Sequence, residues 1–296
     1  MQPRKRSLAF RVVRAIIAGI AGLYLFIVGA IWYTQARFIF HPSSIVDSTP
    51  ADLGVRFENV TLPLGSGQLA GWWVPADSAR SQTMLYLHGN AANVAANVHQ
   101  VVRLRKTGLN IFIFDYRGYG QSTGGPPREK LLYEDAEGAW KYLVSERNIS
   151  PSEIAIYGHS LGGAVAVNLA EKHPEAGALI TECTLTSIAE RADSVSFTAF
   201  LPVRLILRER FDSLSNIGSI RVPKLILQRE ADNIAALPVM AKRLYDAGPE
   251  PKQIALIAGG GHEDSSELNP TAYFGALNGF LSKSGLRPWN EPAKGK

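Results

Sequence analysis

The sequence has almost no cysteine and little charge outside its amino terminus. Cys183 is the only cysteine among 296 residues, so an intramolecular disulfide is excluded and the redox compartment stays open. Charged residues make up only 19% of the chain, and the net charge is +5. The basic residues that account for this excess lie near the amino terminus: Arg4, Lys5, Arg6, Arg11 and Arg14. The remainder is close to neutral, which argues against nucleic-acid binding.

Internal repeats and low-complexity tracts are also missing, and the hydrophobic content of 46% is that of a folded protein. These features argue against a repeat protein and against extensive disorder. Once roughly forty amino-terminal residues are set aside, the remaining length suits one large α/β domain. We expect a basic tip and transmembrane anchor over residues 1–37, the domain over 38–284 and a flexible tail over 285–296.

An apolar run of 19 uncharged residues lies at 15–33, which is close to the length of a membrane-spanning helix. Basic residues precede the run and only Arg37 closely follows it. This bias predicts a single-pass membrane protein with a cytoplasmic amino terminus and the domain on the opposite side, the periplasm in a Gram-negative bacterium. Two alternatives stay open. The first alternative to a membrane anchor is a cleaved signal peptide, for which Thr34-Gln35-Ala36 offers a poor cleavage site. The second is a buried core helix.

Short apolar runs then alternate with helical patterns. Strands are predicted at 56–62, 69–74, 83–87, 110–114, 154–157, 177–181, 224–228 and 253–257. The first two runs flank Gly65-Ser66-Gly67 and predict an edge hairpin, whereas the later alternation predicts a parallel sheet with right-handed crossovers. An apolar, arginine-bearing insert at 184–221 interrupts the alternation. It is interpreted either as a small lid or as two amphipathic helices that complete the core.

The glycine pattern around Ser160 is the strongest local signal. A predicted strand stops at Gly158 and a helical pattern begins after Gly162 and Gly163, which predicts a sharp strand-to-helix turn with Ser160 at its apex. Such a turn strains the central residue and requires flanking positions without side chains. The Ser160 hydroxyl would then stand clear of the sheet, with the N–H of Leu161 directed at a developing oxyanion. The alternative is an ordinary glycine-rich turn.

A nucleophilic serine needs a base, and the base needs an acid that orients it. Among six histidines, His262 follows the last predicted strand in a glycine-rich loop, at the edge where open α/β sheets place their sites. We therefore predict His262 as the base. Asp232 lies after the preceding strand and is the predicted acid, with Glu182 as its competitor. The second oxyanion donor is predicted to be the N–H of Asn90, with Ala91 as an alternative.

The motifs YGHSLGG, LHGN, FDYRGYG and GGGH, together with Asp232, resemble the α/β-hydrolase superfamily. The resemblance covers roughly 38–281 and is closest to the serine aminopeptidase-like, α/β-hydrolase domain-containing branch. It implies an α/β-hydrolase fold with an eight-stranded, mostly parallel sheet, and no metal or organic cofactor. The site residues that it implies are Ser160 as nucleophile, Asp232 as acid, His262 as base, and Leu161 and Asn90 as oxyanion donors.

The loop before the acid departs from the pattern of such relatives. Gln228 and Arg229 stand where His-Gly is usual, and Ala235-Ala236 stands where Val-Pro is common. This departure bears on Asp232 and leaves Ser160 and His262 unaffected.

We expect a membrane-anchored serine hydrolase that cleaves an ester or thioester bond of a small-molecule or lipid-like acyl substrate. The apolar insert and the membrane tether favour acyl substrates. One alternative is a serine peptidase that acts on short peptides with the same triad, in which Glu182 would hold a substrate amine. The other alternative is a noncatalytic binding protein on a hydrolase scaffold. The sequence leaves the oligomeric state open.

Overall fold

A long amino-terminal helix precedes a region of alternating strands and helices in the computed structural model, which describes residues 8–65, 67–78, 81–232, 234, 236–262 and 265–286. The helices are α1 Leu8–Thr34, α2 Ala36–Ile39, α3 Val98–Leu104, α4 Glu129–Lys141, α5 Leu161–Lys172, α6 Ile188–Asp193, α7 Val203–Ile206, α8 Ser213–Ile217, α9 Leu237–Ala247, α10 Ser265–Leu268 and α11 Pro270–Lys283. The strands are β1 His41–Pro42, β2 Glu58–Leu64, β3 Gly67–Val74, β4 Thr83–Leu87, β5 Ala91–Ala92, β6 Asn110–Phe114, β7 Ile154–His159, β8 Ala178–Glu182, β9 Lys224–Ala231 and β10 Lys252–Gly260. Two predicted segments lie outside the described residues: the start of the basic tip, with Arg4, Lys5 and Arg6, and the part of the tail beyond residue 286.

Eight of these strands form one sheet in the order β10-β9-β8-β7-β4-β6-β3-β2. The strand β3 runs antiparallel to both of its neighbours, β2 and β6. All other neighbouring pairs in this sheet are parallel. The predicted eight-stranded, mostly parallel sheet is therefore confirmed. The predicted edge hairpin is the pair β2 and β3, in which Glu58 lies opposite Trp73 and Leu64 lies opposite Gly67.

The central strands are apolar along their whole length because both faces of the sheet are covered. Along β4, Leu85 belongs to the buried cluster that includes α4, α5 and α9, and Met84 belongs to the cluster that includes α3 and α11. Successive side chains of a strand point to opposite faces, so a strand between two helical layers needs apolar residues at every position. All five residues of β4 are buried, as this arrangement requires.

The segment after α1 takes part in a pairing that the sequence analysis did not predict. His41 and Pro42 pair in parallel with Ala91 and Ala92, in the loop that follows β4. A 3-10 turn at Val94–Asn97 follows this pairing and leads into α3. This pairing joins segments 50 residues apart in the chain, so no local pattern could indicate it.

The insert at 184–221 divides into two parts with different surroundings. Residues from α6 to α7, including a 3-10 turn at Ser196–Phe200, lie over a cavity above the sheet. From Phe211 onward the insert contributes buried side chains to the core, since Phe211, Ile217 and Ile220 lie in the same core cluster as α5. The first part thus has the position of a cover, whereas the second part completes the core.

The helix α1 extends away from the sheet. It has 27 residues, none of which is buried, so the interpretation of this segment as a buried core helix is wrong. Its length and composition suffice to cross a membrane, and a signal sequence would meet the same criteria.

Candidate active site

Ser160 lies at a strained turn between β7 and α5. Its backbone angles are φ 54° and ψ −121°, in a region that residues with side chains rarely occupy. A Cβ at Gly158 would lie 2.2 Å from the carbonyl oxygen of Gly162, and a Cβ at Gly162 would lie 2.1 Å from that of Leu87. Only glycine fits at either position, because neither carbonyl belongs to a flexible side chain. The turn thus holds the Ser160 hydroxyl at the carboxyl edge of the sheet.

The structure brings three of the predicted residues into one hydrogen-bonded line. His262 Nε2 lies 2.9 Å from Ser160 Oγ, and His262 Nδ1 lies 3.0 Å from Asp232 Oδ2. The three residues follow β7, β9 and β10, whose carboxyl ends share one edge of the sheet. Positive φ angles at Gly259 and Gly261, together with an irregularity in the pairing of β10, shape the loop that carries the imidazole.

The carboxylate of Asp232 is held by several donors. Its Oδ1 accepts the N–H of Ile234 at 2.8 Å, and its Oδ2 also accepts the side-chain N–H of Gln228 at 3.2 Å. Burial would by itself raise the pKa of Asp232, but the hydrogen bonds from His262, Ile234 and Gln228 outweigh it and lower the pKa below its usual value. The carboxylate is therefore ionised near neutral pH. Gln228, at the position that departs from the pattern of relatives, contributes one of these donors.

Glu182, the alternative acid, lies in a different environment. It is fully buried, and its Oε2 accepts the side-chain N–H of Gln100 at 2.8 Å and the hydroxyl of Tyr157. Its backbone carbonyl, rather than its carboxylate, contacts the turn, because it accepts the N–H of Ser160 at 2.8 Å. Asp232 therefore occupies the orienting position beside His262, and the carboxylate of Glu182 belongs to a buried polar cluster.

The two predicted oxyanion donors border the same cavity as Ser160. Leu161 begins α5, where the first N–H groups of a helix have no acceptor within the helix. Asn90 follows β4 in a loop that touches the turn, since a Cβ at Gly89 would lie 3.4 Å from Ser160 Cβ. His88 Nδ1 lies 2.8 Å from the carbonyl oxygen of Gly89, so it fixes the same peptide group that carries the N–H of Asn90. Burial lowers the pKa of His88 to about 4, which keeps the imidazole neutral.

Residues of the FDYRGYG motif hold this loop in place, a role that the sequence analysis did not assign. The hydroxyl of Tyr116 donates to the carbonyl of His88 at 3.2 Å, and that of Tyr119 donates to the carbonyl of Asn90 at 2.9 Å. Asp115 accepts the N–H of Val94 at 2.8 Å, which fixes the far side of the loop. The motif was visible as a glycine- and aromatic-rich loop after a buried strand, but its partners are remote in sequence.

A cavity of about 460 Å³ opens onto Ser160. Its walls are mostly apolar and come from the turn, from the insert and, unexpectedly, from Ile31 of α1 and from Gln35, which follows that helix. Arg191 and His41 are basic residues at its border, and none of the described residues that line it is acidic. The volume lies within the usual range for a small-molecule site, and the lining suits an apolar group.

Cys183, Asp232 and His262 place side-chain ligand atoms within 4.8 Å of one another, which is a spacing that a metal ion could use. Burial raises the pKa of the Cys183 thiol well above its ordinary value, and metal ligation requires the thiolate. The remaining two side chains are directed at each other through the hydrogen bond described above. This set therefore suits hydrogen bonding better than cation binding.

An eight-stranded sheet with one antiparallel strand, and a serine at a glycine-flanked turn between a strand and a helix, define the α/β-hydrolase fold. The fold is shared with the esterase Pf2001 of Pyrococcus furiosus, at a TM-score of 0.66 and 21% sequence identity, over 83% of this chain and 98% of that chain.

Sequence comparisons agree with this class. Residues 78–214 match the serine aminopeptidase S33 family. The Mycobacterium tuberculosis protein Rv2307c is 33% identical over 95% of this chain and 98% of its own length. The α/β-hydrolase domain-containing protein WAV2 of Arabidopsis thaliana is 30% identical over 79% of this chain and 82% of its own length. The chain therefore belongs to the α/β-hydrolase superfamily, among its α/β-hydrolase domain-containing proteins, and the part at 78–214 is similar to the serine aminopeptidase S33 family.

Proposed function

We propose that the protein is a membrane-anchored serine hydrolase that cleaves an ester or thioester bond of an acyl substrate. The observation that carries this proposal is the line of hydrogen bonds from Ser160 through His262 to Asp232, at the floor of an apolar cavity. A hydroxyl, an imidazole and an ionised carboxylate in this order are the elements of a nucleophilic triad.

In the proposed reaction, Ser160 Oγ attacks the acyl carbonyl while His262 Nε2 takes its proton. Asp232 accepts the Nδ1–H of the imidazole, which fixes the tautomer and stabilises the imidazolium. The N–H groups of Leu161 and Asn90 bind the oxyanion, and the dipole of α5 adds to their field. The leaving alcohol or thiol then receives the proton from Nε2, and a water molecule activated by the same imidazole hydrolyses the acyl-enzyme.

The family description as a serine aminopeptidase favours a second function, in which the same triad cleaves short peptides. Recognition of a free amino terminus requires an acidic group near the serine. Glu182 would have to supply it, but its carboxylate is buried against Gln100 and Tyr157, and the described cavity lining contains no acidic residue. These contacts support an acyl substrate over an amino-terminal peptide.

The proposed anchor is α1, with its amino terminus in the cytoplasm and the domain on the other side. Arg11 and Arg14 lie at the end of α1 that is distant from the site, and residues 15–33 carry no charge. Protease added to sealed, oriented vesicles should therefore digest the domain only from the non-cytoplasmic side. Digestion from the cytoplasmic side alone would contradict this orientation.

A fluorophosphonate probe tests the hydrolase proposal, because it reacts with an activated serine. We expect the purified full-length protein in detergent to be labelled and Ser160→Ala to remain unlabelled. Equal labelling of both proteins would remove the enzymatic proposal and favour a binding protein. A series of nitrophenyl esters set against aminoacyl anilides separates the two substrate classes, and turnover of the anilides alone would favour the peptidase.

A further inference from the structure

One stripe of α1 contacts the insert. Tyr24, Val28 and Ile31 recur at helical spacing, and Gln35, the residue that follows α1, continues the row. Val28, Ile31 and Thr34 are half-buried, and Gln35 is buried. The hydroxyl of Tyr24 donates to the carbonyl of Phe200 at 3.1 Å. Apart from Thr34, the rest of α1 is exposed along its length, so this stripe is the face of α1 toward the domain.

Gln35 joins the end of this stripe to the backbone of the insert. Its Nε2 donates to the carbonyl of Ile206 at 3.0 Å, and its Oε1 accepts the N–H of Arg208 at 2.7 Å. The guanidinium of Arg208 also lies over the ring of Trp32, 5.0 Å from its centroid. Gln35 is only 5% exposed. Removal of α1 by cleavage after Ala36 would leave both backbone groups without these partners, so the contacts are those of a retained helix.

The same stripe forms part of the cavity wall. Ile31 and Gln35 line the cavity together with Ser160 and the apolar residues of the insert, including Val195 and Leu201. A segment suited to span a bilayer is therefore continuous with the apolar surface that leads to the serine. The cavity would lose one side without it.

The insert reaches far along α1. Tyr24 lies ten residues before Thr34, and a rise of 1.5 Å per residue places it about 15 Å from the end of the helix. This is roughly half the thickness of the hydrocarbon core of a bilayer. The insert touches α1 at this depth through Phe200. Parts of the insert therefore lie beside the membrane-spanning portion of α1.

The surface of the insert is unusually apolar at this place. Phe197, Phe200 and Leu205 are 64%, 80% and 87% exposed, which would be unfavourable in water for three large side chains in one short segment. Arg204 is the cation within this segment, and it pairs with Asp193 at 2.6 Å. Exposed apolar side chains next to a membrane-spanning helix are typical of a surface that enters the bilayer.

We propose that α1 is a wall of the acyl-binding cavity and that Phe197, Phe200 and Leu205 embed the cover in the bilayer, so that the cavity takes a lipid acyl ester directly from the membrane. This inference rests on the proposed hydrolase function and specifies its substrate class. The anchor is then a part of the site rather than a tether alone.

The role of α1 is tested with Ile31→Trp, which narrows the cavity, and with Ile20→Trp on an exposed position of the same helix, where Ile20 is 64% exposed. Each methylene that binds an apolar pocket contributes roughly fourfold to kcat/KM. Loss of two such contacts should lower the ratio of kcat/KM for nitrophenyl decanoate to that for the acetate about tenfold or more in Ile31→Trp. Ile20→Trp should keep the wild-type ratio.

An unchanged ratio in Ile31→Trp, or an equal fall in both variants, would overturn the role of α1. If Ile31→Trp fails to fold, Ile31→Ala provides the complementary test, because a larger cavity should raise the ratio of dodecanoate to octanoate turnover. An unchanged ratio in Ile31→Ala would likewise overturn the role of α1.

Entry from the bilayer is tested with the full-length protein in phosphatidylcholine vesicles. Phe200→Glu should lower the ratio of turnover of nitrophenyl dodecanoate in the vesicles to that of the dissolved acetate about tenfold. Leu256→Glu, at a position 55% exposed on the edge strand β10, should leave this ratio unchanged. A wild-type ratio in Phe200→Glu would overturn entry from the bilayer. Failure of the wild type to react with the fluorophosphonate would instead remove the underlying hydrolase proposal.

Discussion

Replacement of Asp232 by asparagine tests the proposed triad at the member whose preceding loop departs from the pattern of relatives. Asp232 Oδ1 accepts the N–H of Ile234 at 2.8 Å and Oδ2 faces His262 Nδ1 at 3.0 Å. An asparagine that keeps the bond from Ile234 must direct its NH₂ group at the imidazole. The imidazole would then accept at Nδ1 and carry its proton on Nε2, where it can no longer take the proton of Ser160.

The size of the effect follows from this change of tautomer. Loss of the correct tautomer in a serine triad lowers kcat about 10⁴-fold, which corresponds to about 5.5 kcal/mol in the activation free energy. The alternative orientation of the amide would direct its oxygen at Nδ1 and restore Nδ1–H as a donor, but it would set two donors, the NH₂ group and the N–H of Ile234, against each other at 2.8 Å. We therefore expect kcat to fall between about 10³- and 10⁴-fold.

The assay is the hydrolysis of nitrophenyl butyrate by the full-length protein in detergent, normalised to folded protein by circular dichroism. Glu182→Gln is the matched control, because Glu182 is the other carboxylate predicted for the acid and is bonded instead to Gln100 and Tyr157. It should retain kcat within about tenfold of the wild type. A loss below tenfold in Asp232→Asn, or a larger loss in Glu182→Gln, would refute the assignment of the acid.

Two further predictions concern the loop at Asn90 and the pH dependence of stability. Tyr119→Phe removes one donor to the carbonyl of Asn90, so we expect kcat to fall up to about tenfold with little change in KM. The control is Tyr133→Phe, which removes a hydroxyl that donates to Glu129 and should not change the steady-state kinetics. The pKa of Asp232 is lowered in the folded state, so its contribution to stability is present above about pH 4 and is lost as the pH falls through the folded pKa. Asp232→Asn should therefore lose less thermal stability than the wild type between about pH 5 and pH 3, and an equal loss in thermal denaturation would contradict this interpretation.

Local sequence patterns were sufficient for the eight strands of the main sheet and for the nucleophilic turn. The strands are short apolar runs because both faces of the sheet are buried, and the turn at Ser160 requires glycine at two fixed positions. Such requirements act within a few residues, and they leave a visible trace in the sequence. Ser160, Asp232 and His262 each follow a predicted parallel strand, so the sequence predicted that they meet at one edge of the sheet.

Contacts between remote segments could not be predicted in this way. The choice between Asp232 and Glu182 depends on which carboxylate meets His262 Nδ1, since both residues end neighbouring strands. The roles of Tyr116 and Tyr119 depend on how the loop after β6 crosses the loop after β4.

The sequence by itself determined the class of fold, the nucleophilic turn and an amino-terminal helix long enough to span a membrane, because each depends on spacing within one segment. Only the tertiary structure decided that Ile31 of that helix and Gln35 directly after it line the same cavity as Ser160. The physical reason is that a cavity is bounded by side chains from segments more than a hundred residues apart, and their meeting depends on the packing of the whole chain.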